Sequence, residues 1–235
     1  MDLKNKIVVV TGGSDGIGRH ICLKLAAQGA QVALLGRDVE RLARVEQEAR
    51  AVGAPKAAGI VCDLQDVAQI NAAITKIQTD FGGIDILINN AGIWHKAGPL
   101  DTISPEMLEA TVQTNLTGLM QMTQAALPAI RAADEGAILN VISKSGVVAQ
   151  GGQSVYTATK YGARGFTEVL KEEEGANGVR VAGLYQSGTN TNMFAKAGED
   201  VPNHIFTEPD DLADVVVFLL SRPAKLWIHD IRIEL

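Results

Sequence analysis

Ile7-Val8-Val9-Val10-Thr11-Gly12-Gly13-Ser14-Asp15-Gly16-Ile17-Gly18 is the stretch on which the fold turns. Its first four residues are apolar and β-branched, the composition of a strand buried on both faces. Glycines follow at once, and then Ile17, Ile21 and Leu25 recur at helical spacing. A strand that breaks into a glycine turn and re-forms as a helix gathers backbone N–H groups at the helix N-terminus, where a pyrophosphate is favoured. The spacing is not G-x-G-x-x-G, because three residues separate Gly12 from Gly16. No Lys-Ser or Lys-Thr follows the glycines, which argues against a nucleoside-triphosphate P-loop.

Working outward, the same alternation continues along the chain. Further apolar runs lie at Val32–Leu35, Ile60–Cys62, Ile84–Ile88, Ala137–Ile142, Val179–Leu184 and Leu226–Ile233. Between them stand segments of helical period, such as Val39, Leu42, Val45 and Ala49. Asp38 sits where an N-cap belongs, and Ser104-Pro105 reads as N-cap followed by N1 proline. Alternating strands and helices with right-handed crossovers predict an α/β, Rossmann-type doubly wound parallel sheet of about seven strands, with helices on both faces. No linker, repeat or low-complexity segment breaks the pattern, so residues 1–235 read as a single domain. Ligands of such sheets bind at the carboxyl ends of the strands. The informative residues are therefore those just after strands.

Composition narrows the classes further. The chain is 46% hydrophobic and carries a net charge of −6, which leaves no basic face for nucleic acid or anionic lipid. No apolar run is long enough to span a bilayer, and the start lacks a signal-peptide layout, so a cytoplasmic location is expected. Cys22 and Cys62 make neither a disulfide framework nor a metal spacing. The four histidines show no ligand spacing, and no metal site is expected. The acidic run Glu172-Glu173-Glu174 reads as a solvated helix face.

Five motifs in order carry a resemblance. They are Thr11-Gly12-x-x-x-Gly16-x-Gly18, Asp63, Asn89-Asn90-Ala91-Gly92, Asn115, and the set Ser143, Tyr156 and Lys160. Together they resemble the short-chain dehydrogenase/reductase family over roughly residues 6 to 190. The resemblance implies a nicotinamide dinucleotide held by Gly12, Ser14, Asp15, Gly16, Ile17, Gly18, Arg37, Asp63 and Leu64 on the adenosine side. Toward the nicotinamide it implies Asn89, Ala91, Gly92, Tyr156, Lys160, Gly188, Thr189 and Thr191. It also implies a homodimer or homotetramer, joined through the long helices around Glu106–Ala132 and Tyr156–Glu172.

Tyr156 and Lys160 stand four residues apart, on one face of a helix. Hydride transfer to or from a carbonyl requires a proton to move as well. A free tyrosine, with pKa near 10, is too weak a base at neutral pH. The neighbouring Lys160 ammonium and the oxidised nicotinamide are both expected to favour the phenolate and lower it. In what the resemblance implies, Tyr156 is the general acid/base, Ser143 bonds the substrate oxygen, Lys160 holds the nicotinamide ribose, and Asn115 supports a water on the proton path. Ser145 competes as the serine, but its spacing to Tyr156 lies outside the family pattern.

The chain departs from the family after the sixth strand, where Ser187-Gly188 stands in place of Pro-Gly. Substrate identity should be written in Trp94-His95, in Val147 to Gly152 and in a loop at about 189–206, where Met193, Phe194 and Phe206 suggest an apolar lid. No acidic or arginine clamp stands out, which favours a hydrophobic ketone or aldehyde. At the end of the second strand Gly36 occupies the position where NAD-preferring members carry an aspartate, and Arg37 follows it. NADP (NADPH) is therefore expected over NAD, with NAD possible because Asp15 would repel the 2′-phosphate. The expected activity is an NADP-dependent carbonyl/alcohol oxidoreductase acting on a small molecule, without nucleic-acid or membrane partners. Its rivals are a 3-oxoacyl thioester reductase and a catalytically silent dinucleotide-binding sensor.

Overall fold

A computed structural model describes residues 1–223 and 225–234. Seven strands form one parallel sheet in the order β3-β2-β1-β4-β5-β6-β7. They are β1 (Ile7–Thr11), β2 (Gln31–Gly36), β3 (Ala57–Val61), β4 (Ile86–Asn89), β5 (Ala137–Val141), β6 (Arg180–Gln186) and β7 (Asp230–Ile233). The apolar run of β1 feeds both faces at once. Val8 and Val10 join the core beneath α1 (Gly16–Ala27), α2 (Val39–Ala51) and α8 (Pro209–Leu220). Val9 points the other way, into the core beneath α3 (Val67–Phe81), α5 (Gly118–Arg131) and α6 (Ser154–Gly175). That alternation is why the strand shows no polar side.

Local chemistry starts and stops the helices where the residues suggest. Asp38 accepts from the Arg41 N–H at 3.0 Å, and Ser104 accepts from the Met107 N–H at 3.2 Å ahead of α4 (Pro105–Val112). Each such cap satisfies an orphan donor and is worth about 1 kcal/mol.

Four expectations need correction. The long helix around Glu106–Ala132 is two helices, α4 and α5, joined by a π-turn at Gln113–Thr117 that carries Asn115. β7 is shorter than Leu226–Ile233, because Leu226 closes a turn onto Pro223 and the Trp227 indole N–H donates to the Val181 carbonyl. Glu174 is buried rather than solvated, since its carboxylate takes a two-point bond from the Arg131 guanidinium. Val39 is exposed, as the first residue of α2 clears the core. Among the described residues, no helix is long and apolar enough to cross a membrane.

Candidate active site

The sheet order reverses between β1 and β4, and a cleft of about 930 Å³ opens there at the carboxyl ends of the strands. Thr11 joins the two strands across the switch. Its hydroxyl accepts from the N–H groups of Asn90 and Ala91, both at 3.0 Å. The Asn90 side chain in turn donates to the Thr11 carbonyl at 3.0 Å. Thr11 and Asn90 thus hold the glycine turn against the exit of β4.

The turn itself is built from backbone. Gly12 sits at φ +66°, where a side chain is strained. Asp15 caps α1 by accepting from the Gly16 N–H at 2.9 Å, while the next N–H groups lack intrahelical partners. A Cβ on Gly18 would lie 2.2 Å from the Gly12 carbonyl oxygen. Gly18 therefore lets helix and strand touch, and it does not line the cleft. Asn89 also turns away from the cleft. Its amide donates to Thr123 and Asn140, both at 2.9 Å, inside the core. Gly12, Ser14, Asp15, Gly16, Ile17, Arg37, Asp63 and Leu64 do line the cleft, as do Ala91, Gly92, Gly188, Thr189 and Thr191.

At the far end, Ser143 follows β5 with φ +148° and ψ 157°, a region costly for any residue with a Cβ. Its Oγ accepts from the Ser145 N–H at 3.1 Å, which leaves its own proton free to donate. Ser145 thus supports Ser143 through its backbone. Tyr156 and Lys160 lie one turn apart on α6, both buried, with the ammonium 5.5 Å from the phenol ring centroid. Burial pushes the Tyr156 phenol up to about 12, and a hydrogen bond with Ser143 offsets part of that rise. Burial brings Lys160 down to about 8. Desolvation is thus the largest influence on the phenol, and the Ser143 hydrogen bond works against it.

Asn115 does not line the cleft either. The π-turn carries its side chain toward the exit of β4, where Oδ1 accepts from the Ile93 N–H at 2.7 Å and Nδ2 donates to the Ile93 carbonyl at 2.9 Å. It clamps the backbone between Gly92 and Trp94. π-turns of this kind recur at functional sites.

Several lining residues escaped sequence reasoning. Arg41 reaches over the glycine turn and pairs with Asp15 at 3.1 Å. Lys196, on the short helix α7 (Met193–Lys196), pairs with the same oxygen at 2.8 Å. Burial works to raise Asp15, yet Lys196, the Gly16 N–H and Arg41 together hold it below the usual carboxylate range. Arg41 follows Arg37 by four residues, a signal the sequence did contain. Lys196 had none, since only the fold brings it back to the turn.

A match to the family model for short chain dehydrogenases spans residues 6–202. The chain belongs to the short chain dehydrogenase family. A relative among these dehydrogenases, the 3alpha-hydroxysteroid dehydrogenase of Mediterraneibacter gnavus, is 33% identical over 96% of this chain and 93% of the relative. The acetoacetyl-CoA reductase of Shinella zoogloeoides is 35% identical over 94% and 92% of the two chains. A crystal structure of a metagenomic short-chain oxidoreductase in complex with NADP superposes with a TM-score of 0.86 at 34% identity, covering 100% of both chains. As a short chain dehydrogenase, the protein has the family's alternating α/β chain, and its cleft lies at the switch point the fold dictates.

Proposed function

We propose that the protein is an NADP-dependent oxidoreductase that interconverts a neutral, apolar carbonyl compound and its alcohol. The observation that carries this reading is the convergence of Ser143, Tyr156 and Lys160 in one cleft with the glycine turn. The residues fit a dinucleotide. The first turn of α1 offers free N–H groups, and a Cβ on Gly12 would come within 3.0 Å of Ala91 Cα, so the cradle needs its glycine. When bound, the dinucleotide supplies or accepts the hydride.

The chain's own groups would move the proton. Ser143 donates to the substrate oxygen and fixes the carbonyl beside the phenol. Tyr156, a phenol at neutral pH, protonates the oxygen as it becomes an alkoxide, and takes the proton back in the reverse direction. Lys160, close to Gly92, holds the ribose by its ammonium. Asn115 holds the backbone at Ile93, where a water would extend the proton path.

Cofactor choice follows from the end of β2. Gly36 offers no carboxylate to a ribose 2′-hydroxyl, and a Cβ there would sit 2.9 Å from Ser14 Oγ. Arg37 is 64% exposed and only loosely paired with Asp63, at 3.7 Å, so it is available to a 2′-phosphate. Arg41 lines the same cleft. Asp15, engaged by two cations, repels the phosphate less than a free carboxylate would.

A second reading, a 3-oxoacyl thioester reductase, draws on the likeness to the acetoacetyl-CoA reductase. For assembly we propose a homodimer or homotetramer through α4 and α6, whose Met107, Leu108, Tyr161 and Val169 are exposed. The test is NADPH oxidation against aryl ketones, aldehydes, 3-oxo esters and 3-oxoacyl thioesters. Turnover of the ketones with a Tyr156→Phe variant inert supports the first reading. Turnover of thioesters alone supports the second, and none at all would return the chain to the class of silent binders.

A further inference from the structure

The substrate end of the cleft is closed by a chain of rings. The Trp94 indole meets the Tyr156 phenol edge-on at 4.6 Å, with 74° between planes. Phe194 packs edge-on against Trp94 at 5.5 Å, and Phe206 lies 5.6 Å beyond Phe194. A single carboxylate fastens this wall. Glu199 Oε2 accepts from the Trp94 indole N–H at 3.0 Å, and Oε1 accepts from the Ala97 N–H. Glu199 lines the cleft and is in no ion pair among the described residues. Its bonds cross a sequence separation of more than a hundred residues, from the loop after α7 to the loop after β4.

An unpaired carboxylate at the mouth of an apolar slot is costly unless its oxygens are engaged. Here both are, by two donors of one loop. Accepting from an indole N–H on one side and a backbone N–H on the other fixes the indole's rotation as well as its position. We propose that Glu199 is a positioning residue that sets substrate specificity: it holds the Trp94 ring edge-on across the Tyr156 phenol, leaving an apolar slot walled by Trp94, Phe194 and Phe206 that selects planar, neutral carbonyl compounds. Without it, Trp94 can rotate away and the slot loses its shape, while the phenol, the serine and the glycine turn keep theirs. The carboxylate's charge adds to the selection by disfavouring anionic substrates. This rests on the carbonyl-oxidoreductase reading above.

The experiment pairs Glu199→Ala with Glu199→Gln, which keeps one acceptor oxygen, and reads two independent signals. Indole emission, with Trp94→Phe as the reference that isolates Trp227, reports the ring without any substrate. In Glu199→Ala the Trp94 emission should shift to the red, with Glu199→Gln intermediate. Kinetics with NADPH should show KM for a planar aryl ketone rising about tenfold, a change of ~1.4 kcal/mol. A small aliphatic ketone should change less than about threefold, with kcat and NADPH affinity holding within the same range for both. Glu199→Gln should recover part of the aryl-ketone KM. Unchanged Trp94 emission in Glu199→Ala overturns the proposal, as does a KM rise equal for both ketones. If the wild type reduces no carbonyl compound, the functional reading fails by itself, and the emission measurement still decides the role of Glu199 in holding the ring.

Discussion

The two ends of the cleft are made of different materials. The dinucleotide end is backbone: a strand, a glycine turn and a helix start, contiguous between Ile7 and Ala27, with close approaches that leave no room for a Cβ at Gly18. The substrate end is side chain: Trp94, Phe194, Glu199 and Phe206, drawn from loops about a hundred residues apart and locked by rings and one carboxylate. A backbone site tolerates few residue types and keeps its shape when surface side chains change. A side-chain site can be re-cut by one substitution. The proposed catalytic residues, on α6 and after β5, line the same cleft between the two.

The largest effect should come from that junction. Tyr156→Phe is expected to cut turnover by roughly 10²- to 10⁴-fold, the scale of a positioned acid/base, while NADPH affinity stays within about twofold. Steady-state kinetics and a fluorescence titration of NADPH measure the two. Near-normal turnover at saturating substrate would remove Tyr156 from the chemistry. The same junction carries a pH signature. Lys160, held near about 8 by burial, loses its ammonium as pH rises through that value. NADPH binding should weaken above it in the wild type and hold to higher pH in Lys160→Arg, whose guanidinium stays charged. A binding profile flat to pH 10 in the wild type would mean that the ribose contact is elsewhere.

Next in size is the cofactor switch at the end of β2. Gly36→Asp with Arg37→Gln adds a carboxylate for a ribose hydroxyl and deletes a phosphate partner. A charge-assisted bond is worth about 1.5–3 kcal/mol, so NADP affinity should fall by roughly 10- to 100-fold and the preference should invert toward NAD. The Ser14 hydroxyl must rotate to admit the new Cβ, a small motion at the tip of a short side chain. Steady-state constants with both dinucleotides decide it. A double variant that still prefers NADP shifts the burden of phosphate recognition to Arg41.

A pair of glycines tests the contrast of materials directly. Gly18→Ala forces a methyl against the Gly12 carbonyl and should cost about 1–3 kcal/mol of stability, together with dinucleotide affinity. Gly151, in the loop before α6, has nothing within 4 Å of a built Cβ, and Gly151→Ala should be neutral or slightly stabilising. Thermal unfolding of both variants measures this. Equal costs would mean that the substrate end is as tightly built as the dinucleotide end.

The same contrast explains what could be read before the structure. The parallel, doubly wound sheet was legible because apolar runs such as Val8, Val9 and Val10 bury both faces of a strand and alternate with helical segments, whereas the strand order came only with the fold. Ser143, Tyr156 and Lys160 could be singled out only through the family resemblance, whose spacing they match, since a Tyr–Lys pair on a helix says little by itself. Asn89 and Gly18 stand outside the cleft's lining because a motif records which residues recur, not which way they face: one feeds the Thr123–Asn140 network and the other lets α1 approach β1. Glu174 looked solvated because its neighbours are, and only the fold supplies Arg131 opposite. Glu199 and Lys196 left no local trace, since their partners lie far along the chain.

The smallest effect belongs to the residue that ties the two ends together. Asp15 caps α1 in the dinucleotide cradle, yet its other oxygen binds Lys196 on the short helix at the substrate end as well as Arg41. Asp15→Asn keeps a capping oxygen, so α1 should start as before. It removes one negative charge close to where an adenosine 2′-phosphate would lie and frees two cations. At roughly 8 Å in a watery cleft a unit charge is worth about 0.5 kcal/mol, so NADPH should bind roughly twofold tighter while NADH hardly changes. Added salt should shrink the gain, as screening does for exposed charges. Titrations of both dinucleotides at low and high ionic strength measure it. If NADH tightens equally, Asp15 acts on the pyrophosphate both cofactors share. If instead KM for substrate rises with no change in either titration, the pair with Lys196 serves the lid, and the two ends are coupled through the glycine turn.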